Sequence, residues 1–172
     1  MMSSVLETVQ TRHAVRSFAD RPVPDEVLLA ILDAGRRSQS SKNTQPWQFI
    51  VVRDRASLET MSKMGDFAEH LAGADFAVLL VGRQDTTWNN FDLGQAAAFL
   101  QLAASDLGVG SCIAAIYRPD EAKQLLDIPA DRTAYCAISF GYPAPDFKPL
   151  KLGGRKPVEE IAYWEKWEGR RT

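Results

Sequence analysis

The stretch 90–107, NFDLGQAAAFLQLAASDL, constrains the fold more than any other part of this chain. Leu93, Ala96, Ala97, Leu100, Ala103, Ala104 and Leu107 recur at helical spacing and make one unbroken apolar face. Its alanines let another backbone come close. A surface helix needs only one apolar stripe. Here Phe91, Ala98, Phe99 and Leu102 widen the stripe, so the spacing predicts a helix buried on more than one side. Two settings satisfy that: the centre of a monomeric core, or a dimer interface.

Other elements are arranged around this helix. Val5, Leu6 and Val9 mark a short first helix ending near Arg12-His13-Ala14-Val15-Arg16. A second helix is expected from Pro24, with Asp25 and Glu26 at the positive end of its dipole. Val27, Leu28, Ile31, Leu32 and Gly35 then recur at helical spacing. Residues 38–44 read as polar loop, 47–53 as a strand, 55–64 as a helix and 75–82 as a buried strand. Residues 108–112 read as a glycine turn leading into a short extended segment, 113–117. A short helix over 120–127 and a strand over 133–141 follow. Helices and strands mix without regular βαβ alternation, which favours α+β over a doubly wound sheet.

Composition narrows the function classes. At 172 residues, 45% hydrophobic, the chain fits one domain with a core that needs neither disulfides nor a structural metal. A net charge of −2 argues against nucleic acid or an anionic membrane as the main partner. The longest apolar run, 76–81, is too short to span a bilayer, and the N-terminal residues lack the apolar stretch of a signal peptide, so a cytoplasmic location is expected. Cys112 and Cys136 fit no metal or redox spacing and read as small buried hydrophobes. Four of the nine prolines lie beyond Tyr142, followed by Tyr163, Trp164 and Trp167, so the tail is expected to wrap a surface.

Several chemistries fail on context. Gly108-Val109-Gly110 lacks the third glycine of a dinucleotide fingerprint and follows a helix, not a strand. No nucleophile elbow frames a serine, only His13 and His70 could act as a general base, and no ligand cluster surrounds either.

Three segments share an anion-binding, heteroaromatic theme. In 12–16, Arg12 and Arg16 are separated by about one helical turn, and a guanidinium fork suits phosphate. Ser40-Ser41-Lys42-Asn43-Thr44-Gln45-Pro46-Trp47 is a row of small donors and acceptors ending in a large ring. Gly153-Gly154-Arg155-Lys156-Pro157 sets exposed backbone N–H groups beside two cations. Taken singly, each could equally be solvated surface.

In this order, and with the Gly108–Cys112 turn and Arg155-Lys156-Pro157-Val158-Glu159-Glu160, these segments resemble the nitroreductase family. The resemblance covers nearly the whole chain and rests on the ordered set, not on one motif. It implies an α+β fold with a central, mainly antiparallel sheet flanked by helices, in an intertwined homodimer carrying FMN at its interface. It implies a single FMN-binding domain over 1–172, with 145–172 a tail wrapping the partner. By that resemblance Arg12, His13, Ala14 and Arg16 meet FMN from one subunit, with Arg155 and Lys156 completing the phosphate pocket. Ser40, Ser41, Asn43 and Gln45 contribute from the loop, the serines and Asn43 from the partner subunit. Ile113, Ala114 and Ala115 offer backbone groups near the flavin N5. No catalytic side chain and no metal ligand is assigned. Ala14 stands where the family often has serine, and Gln39 or its neighbour where it has proline. The implied activity is hydride transfer from NAD(P)H through FMN to a nitroaromatic, quinone or similar acceptor. Dehalogenation, flavin breakdown and a non-catalytic flavin sensor are the alternatives.

Overall fold

The structure, a computed structural model, describes residues 4–83, 87–149 and 154–169. Four strands form one antiparallel sheet: β1 (Gln48–Val52), β2 (Phe76–Arg83), β3 (Gly110–Ala115) and β4 (Arg132–Gly141). Their order is β1-β2-β4-β3, so β1 and β3 are the edges. The helices are α1 (Val5–Thr11), α2 (Asp25–Arg36), α3 (Arg55–Met61), α4 (Thr87–Asp106), α5 (Pro119–Leu125) and α6 (Val158–Ile161).

The central strands explain their own sequences. Side chains alternate between the faces of a strand. In β2, Phe76, Val78 and Leu80 enter one core with Ile31 of α2 and Leu93 and Leu100 of α4. Ala77, Leu79 and Val81 enter a second core with Leu58 and Met61 of α3 and Ala122 of α5. Both faces are covered, hence the continuous apolar run; an antiparallel sheet more commonly leaves one face wet. Phe76 and Phe140 stack across β2 and β4 with centroids 4.9 Å apart.

Local chemistry sets most boundaries. Ser4 caps α1 reciprocally with Glu7. Pro24 is the N-cap of α2, one position before the expected start, and Asp54 caps α3 through the Ser57 N–H. Gly35 of α2 lies so close to α4 that an added Cβ would stand 2.5 Å from Leu100 Cδ2. The expected turn at 108–112 is shorter than its glycines suggest. Gly108, at φ +72°, makes the turn, and β3 already runs from Gly110 because Gly110–Cys112 pair with Gly141–Ser139.

The long helix behaves as its composition predicts. Leu93, Ala96, Ala97, Leu100 and Ala104 are buried within the protomer, while Trp88, Phe91 and Phe99 stay exposed, as do Val5, Leu6 and Val9 of α1. Among the described residues no helix is long and apolar enough to cross a membrane.

Candidate functional site

The basic segment is built onto the free edge of β3. The Arg12 N–H closes α1 by donating to Thr8 O, and Arg12 then turns extended. Ala14 bridges Ser111 in parallel, and the Val15 N–H donates to Ser111 O at 3.0 Å. Val15 is buried against Gly110. Arg12, His13 and Arg16 are thereby presented around that edge. Arg12 is half-buried, and its Nη1 is buried without a hydrogen-bond partner. His13 and Arg16 are exposed.

Arg12 and His13 line a cleft of about 210 Å³ with Ser105, Gly108, Ser111 and Phe147. Burial pushes the Cys112 thiol upward, and the charges of Arg16 and Arg12 oppose that rise. Burial and the Arg16 charge together hold His70 down to about 4, against a smaller opposing pull from Glu69. Both guanidiniums therefore act on the flank of β3.

Alternation along β3 orients its backbone. Ser111 O is taken by Val15, and Gly65 lies against Ala115 O, where a Cβ would stand at 2.3 Å. Those carbonyls face away from β4, so the Ile113 N–H and C=O between them also face the open edge. Ile113 and Ala115 are exposed, whereas Ala114 is buried.

The polar loop lies elsewhere. Ser41 and Asn43 bound a 3-10 turn, and Lys42, Asn43 and Gln45 hold φ of 51°, 56° and 47°, a left-handed region that is uncommon for side-chain-bearing residues. The Ser41 N–H donates to Asp92 Oδ2 at 2.9 Å, and the Gln45 N–H donates to Ser40 Oγ at 3.0 Å. Asp92 is 2% exposed and had not been expected at the site. Its sequence signal is an acid inside the most apolar stretch of the chain.

Helix α4 separates the two segments. Asp92 anchors the loop and Ser105 lines the cleft, 13 positions further on. At 1.5 Å per residue that is about 20 Å. One protomer thus brings Arg12, His13, Ala14, Arg16 and the Ile113–Ala115 edge together, and holds Ser40, Ser41, Asn43 and Gln45 apart from them. Arg155 and Lys156 are exposed on the tail and do not line the cleft; Gly153 lies outside the described residues.

Comparison with known proteins gives this arrangement its context. The nitroreductase family model matches residues 9–71 and 67–142. A protein of Archaeoglobus fulgidus, named provisionally as an NADH dehydrogenase/NAD(P)H nitroreductase, is 31% identical over 175 residues, covering 96% of this chain and 100% of its own. A solved structure from Bacteroides thetaiotaomicron with the same provisional name superposes with a TM-score of 0.85 at 27% identity, over 97% of this chain and 100% of that one. The FMN-dependent nitroreductase of Clostridium difficile superposes with a TM-score of 0.85 at 25% identity, over 94% and 99%. The fold is therefore the α+β fold of the nitroreductases. The chain belongs to the nitroreductase family.

Proposed function

We propose that this chain is an FMN-dependent oxidoreductase that accepts hydride from NAD(P)H and delivers it to a nitroaromatic, quinone or similar small acceptor. The observation that carries this reading is the buried, unpartnered Nη1 of Arg12 beside a cleft shared with His13. A buried cationic nitrogen left without an acceptor is costly, and a phosphate oxygen satisfies it. The donor set therefore fits the phosphate end of FMN.

Bound flavin supplies the hydride chemistry, while the protein supplies placement and electrostatics. Arg12, Arg16 and His13 hold the phosphate, with Ala14 contributing backbone where a serine hydroxyl is absent. The outward N–H and C=O of Ile113 and the exposed edge at Ala115 orient the ring. Proton supply from a dedicated side chain is not needed at this site, and no residue is assigned that task.

The working unit in this reading is a homodimer. The spacing of about 20 Å along α4 supports a flavin held by the basic segment of one protomer and by Ser40, Ser41, Asn43 and Gln45 of its partner. The exposed apolar stripe of Trp88, Phe91 and Phe99 on α4, beside Val5, Leu6 and Val9, supplies an interface. Residues 145–172 then wrap the partner, with Arg155 and Lys156 completing the phosphate pocket, and the chain forms one FMN-binding domain.

The test is direct. Purified protein should carry a yellow chromophore whose released form has the mass of FMN, and NADH or NADPH should bleach it anaerobically. A colourless protein that takes up no FMN would sink the proposal. Bound flavin that neither nucleotide bleaches would leave a flavin sensor instead of an enzyme.

A further inference from the structure

The sheet contains a polar chain that flavin binding by the basic segment does not use. His70, in the turn Glu69–Leu71, is 6% exposed, and its Nδ1 lies 2.8 Å from Ser139 Oγ on β4. Ser139, fully buried, has its Oγ 3.2 Å from Cys112 O on β3. The Cys112 carbonyl can only accept, and Ser139 has a single hydroxyl proton. Ser139 therefore donates to Cys112 O and accepts from the His70 Nδ1–H. This assigns the tautomer and leaves the Nε2 lone pair buried and unpartnered.

A leucine in place of His70 would fill this apolar core without an orphaned nitrogen, so packing alone does not account for the histidine. The far end of the chain does. Cys112 C=O and the Ile113 N–H belong to one peptide plane and point in opposite directions across it. The carbonyl faces Ser139, so the N–H faces the open edge. Hydrogen bonds in series polarise one another, and a carbonyl that accepts from Ser139 makes the N–H of its own peptide a stronger donor.

We propose that His70 is a positioning residue: acting through Ser139, it fixes the Cys112–Ile113 peptide and strengthens the Ile113 N–H as the donor that meets the flavin ring. The proposal rests on the flavin reading above. Neutral His70 suits the task, because its Nδ1–H is needed as donor while a charged ring would stand close to Arg16.

Three variants test it: His70→Leu, Ser139→Ala and His70→Asn, the last keeping a donor near the Nδ1 position. Hydrogen exchange on the flavin-free protein reads the clamp without cofactor. The His70→Leu and Ser139→Ala proteins should exchange faster across residues 110–116, with β1 unchanged, and the His70→Asn protein should match wild type. FMN titration should show Kd raised roughly fivefold in the first two, the scale of one hydrogen bond, with a shifted flavin midpoint potential, and near-wild-type values for His70→Asn. Unchanged exchange and Kd in Ser139→Ala, exchange raised equally in β1, or His70→Asn as impaired as His70→Leu would overturn the proposal. A wild-type protein that binds no FMN fails the flavin reading instead, a separate result because the exchange arm needs no flavin.

Discussion

Val15 packs its branched side chain into the space that Gly110 leaves: a Cβ on Gly110 would stand 2.7 Å from Val15 Cβ and Cγ2. Val15 is 4% exposed and, being β-branched, has little rotamer freedom to retreat. Its neighbours Arg12, Ala14 and Arg16 ride on that contact. Gly110→Ala should cost about 1–3 kcal/mol of stability, the range for overpacking. It should also weaken FMN binding by roughly tenfold, because the segment lifts off β3. Thermal denaturation and flavin fluorescence titration check the two effects, and unchanged FMN affinity would show that the segment tolerates displacement.

Arg12→Ala should cost roughly 1.5–3 kcal/mol of FMN affinity, the scale of a charge-assisted hydrogen bond. Arg12→Lys should recover only part of it, since a point charge replaces a planar fork. With Ala14 in place of a serine, the grip rests mainly on charge, so FMN affinity should fall steeply with added salt. Titrations across a salt series on wild type and Ala14→Ser measure this; a steeper slope for the serine variant than for wild type would contradict it.

Acid should destabilise the protein partly through His70. Its folded value of about 4 lies below the ordinary 6.5 because burial and Arg16 disfavour the imidazolium. Between those values the unfolded chain binds a proton that the folded chain refuses. The contribution is therefore complete above about pH 6.5 and is lost as pH falls toward 4, by about 2 kcal/mol after allowance for screening. Urea denaturation of His70→Asn at a series of pH values should show a shallower loss across this window. Identical pH slopes for variant and wild type would refute the assignment.

Phe99→Glu should split the assembly. The ring is 42% exposed on the stripe of α4 that the protomer leaves open. A carboxylate there faces burial without a partner, which is costly in an apolar interface. Sedimentation equilibrium should show wild-type dimers and variant monomers, with FMN lost from the monomer. A variant that stays dimeric would place the interface on another face.

Much of this arrangement is legible in the sequence where a pattern repeats. Residues 90–107 read as a helix apolar on two sides, and the structure buries Leu93, Ala96 and Leu100 while exposing Phe91 and Phe99. The continuous run in β2 reads as buried because both faces are covered. Single residues are less legible. Gly110 looks like turn in isolation and becomes strand only through pairing with Gly141. Asp92, His70 and Ser139 belong to no periodic pattern; their importance comes from partners 51 and 69 positions away in sequence. The distance between the basic segment and the serine loop is invisible until α4 sets it.

That helix has a genetic consequence. If each chain keeps its two half-sites at opposite ends of α4, an Arg12→Ala chain and a chain with Ser40 and Ser41 both replaced by alanine carry defects in different halves. Each variant alone makes only damaged sites. In a heterodimer of the two, one site collects both lesions and the other collects none. Co-expression should therefore restore flavin binding to half the sites of the mixed species, so that two inactive alleles complement each other.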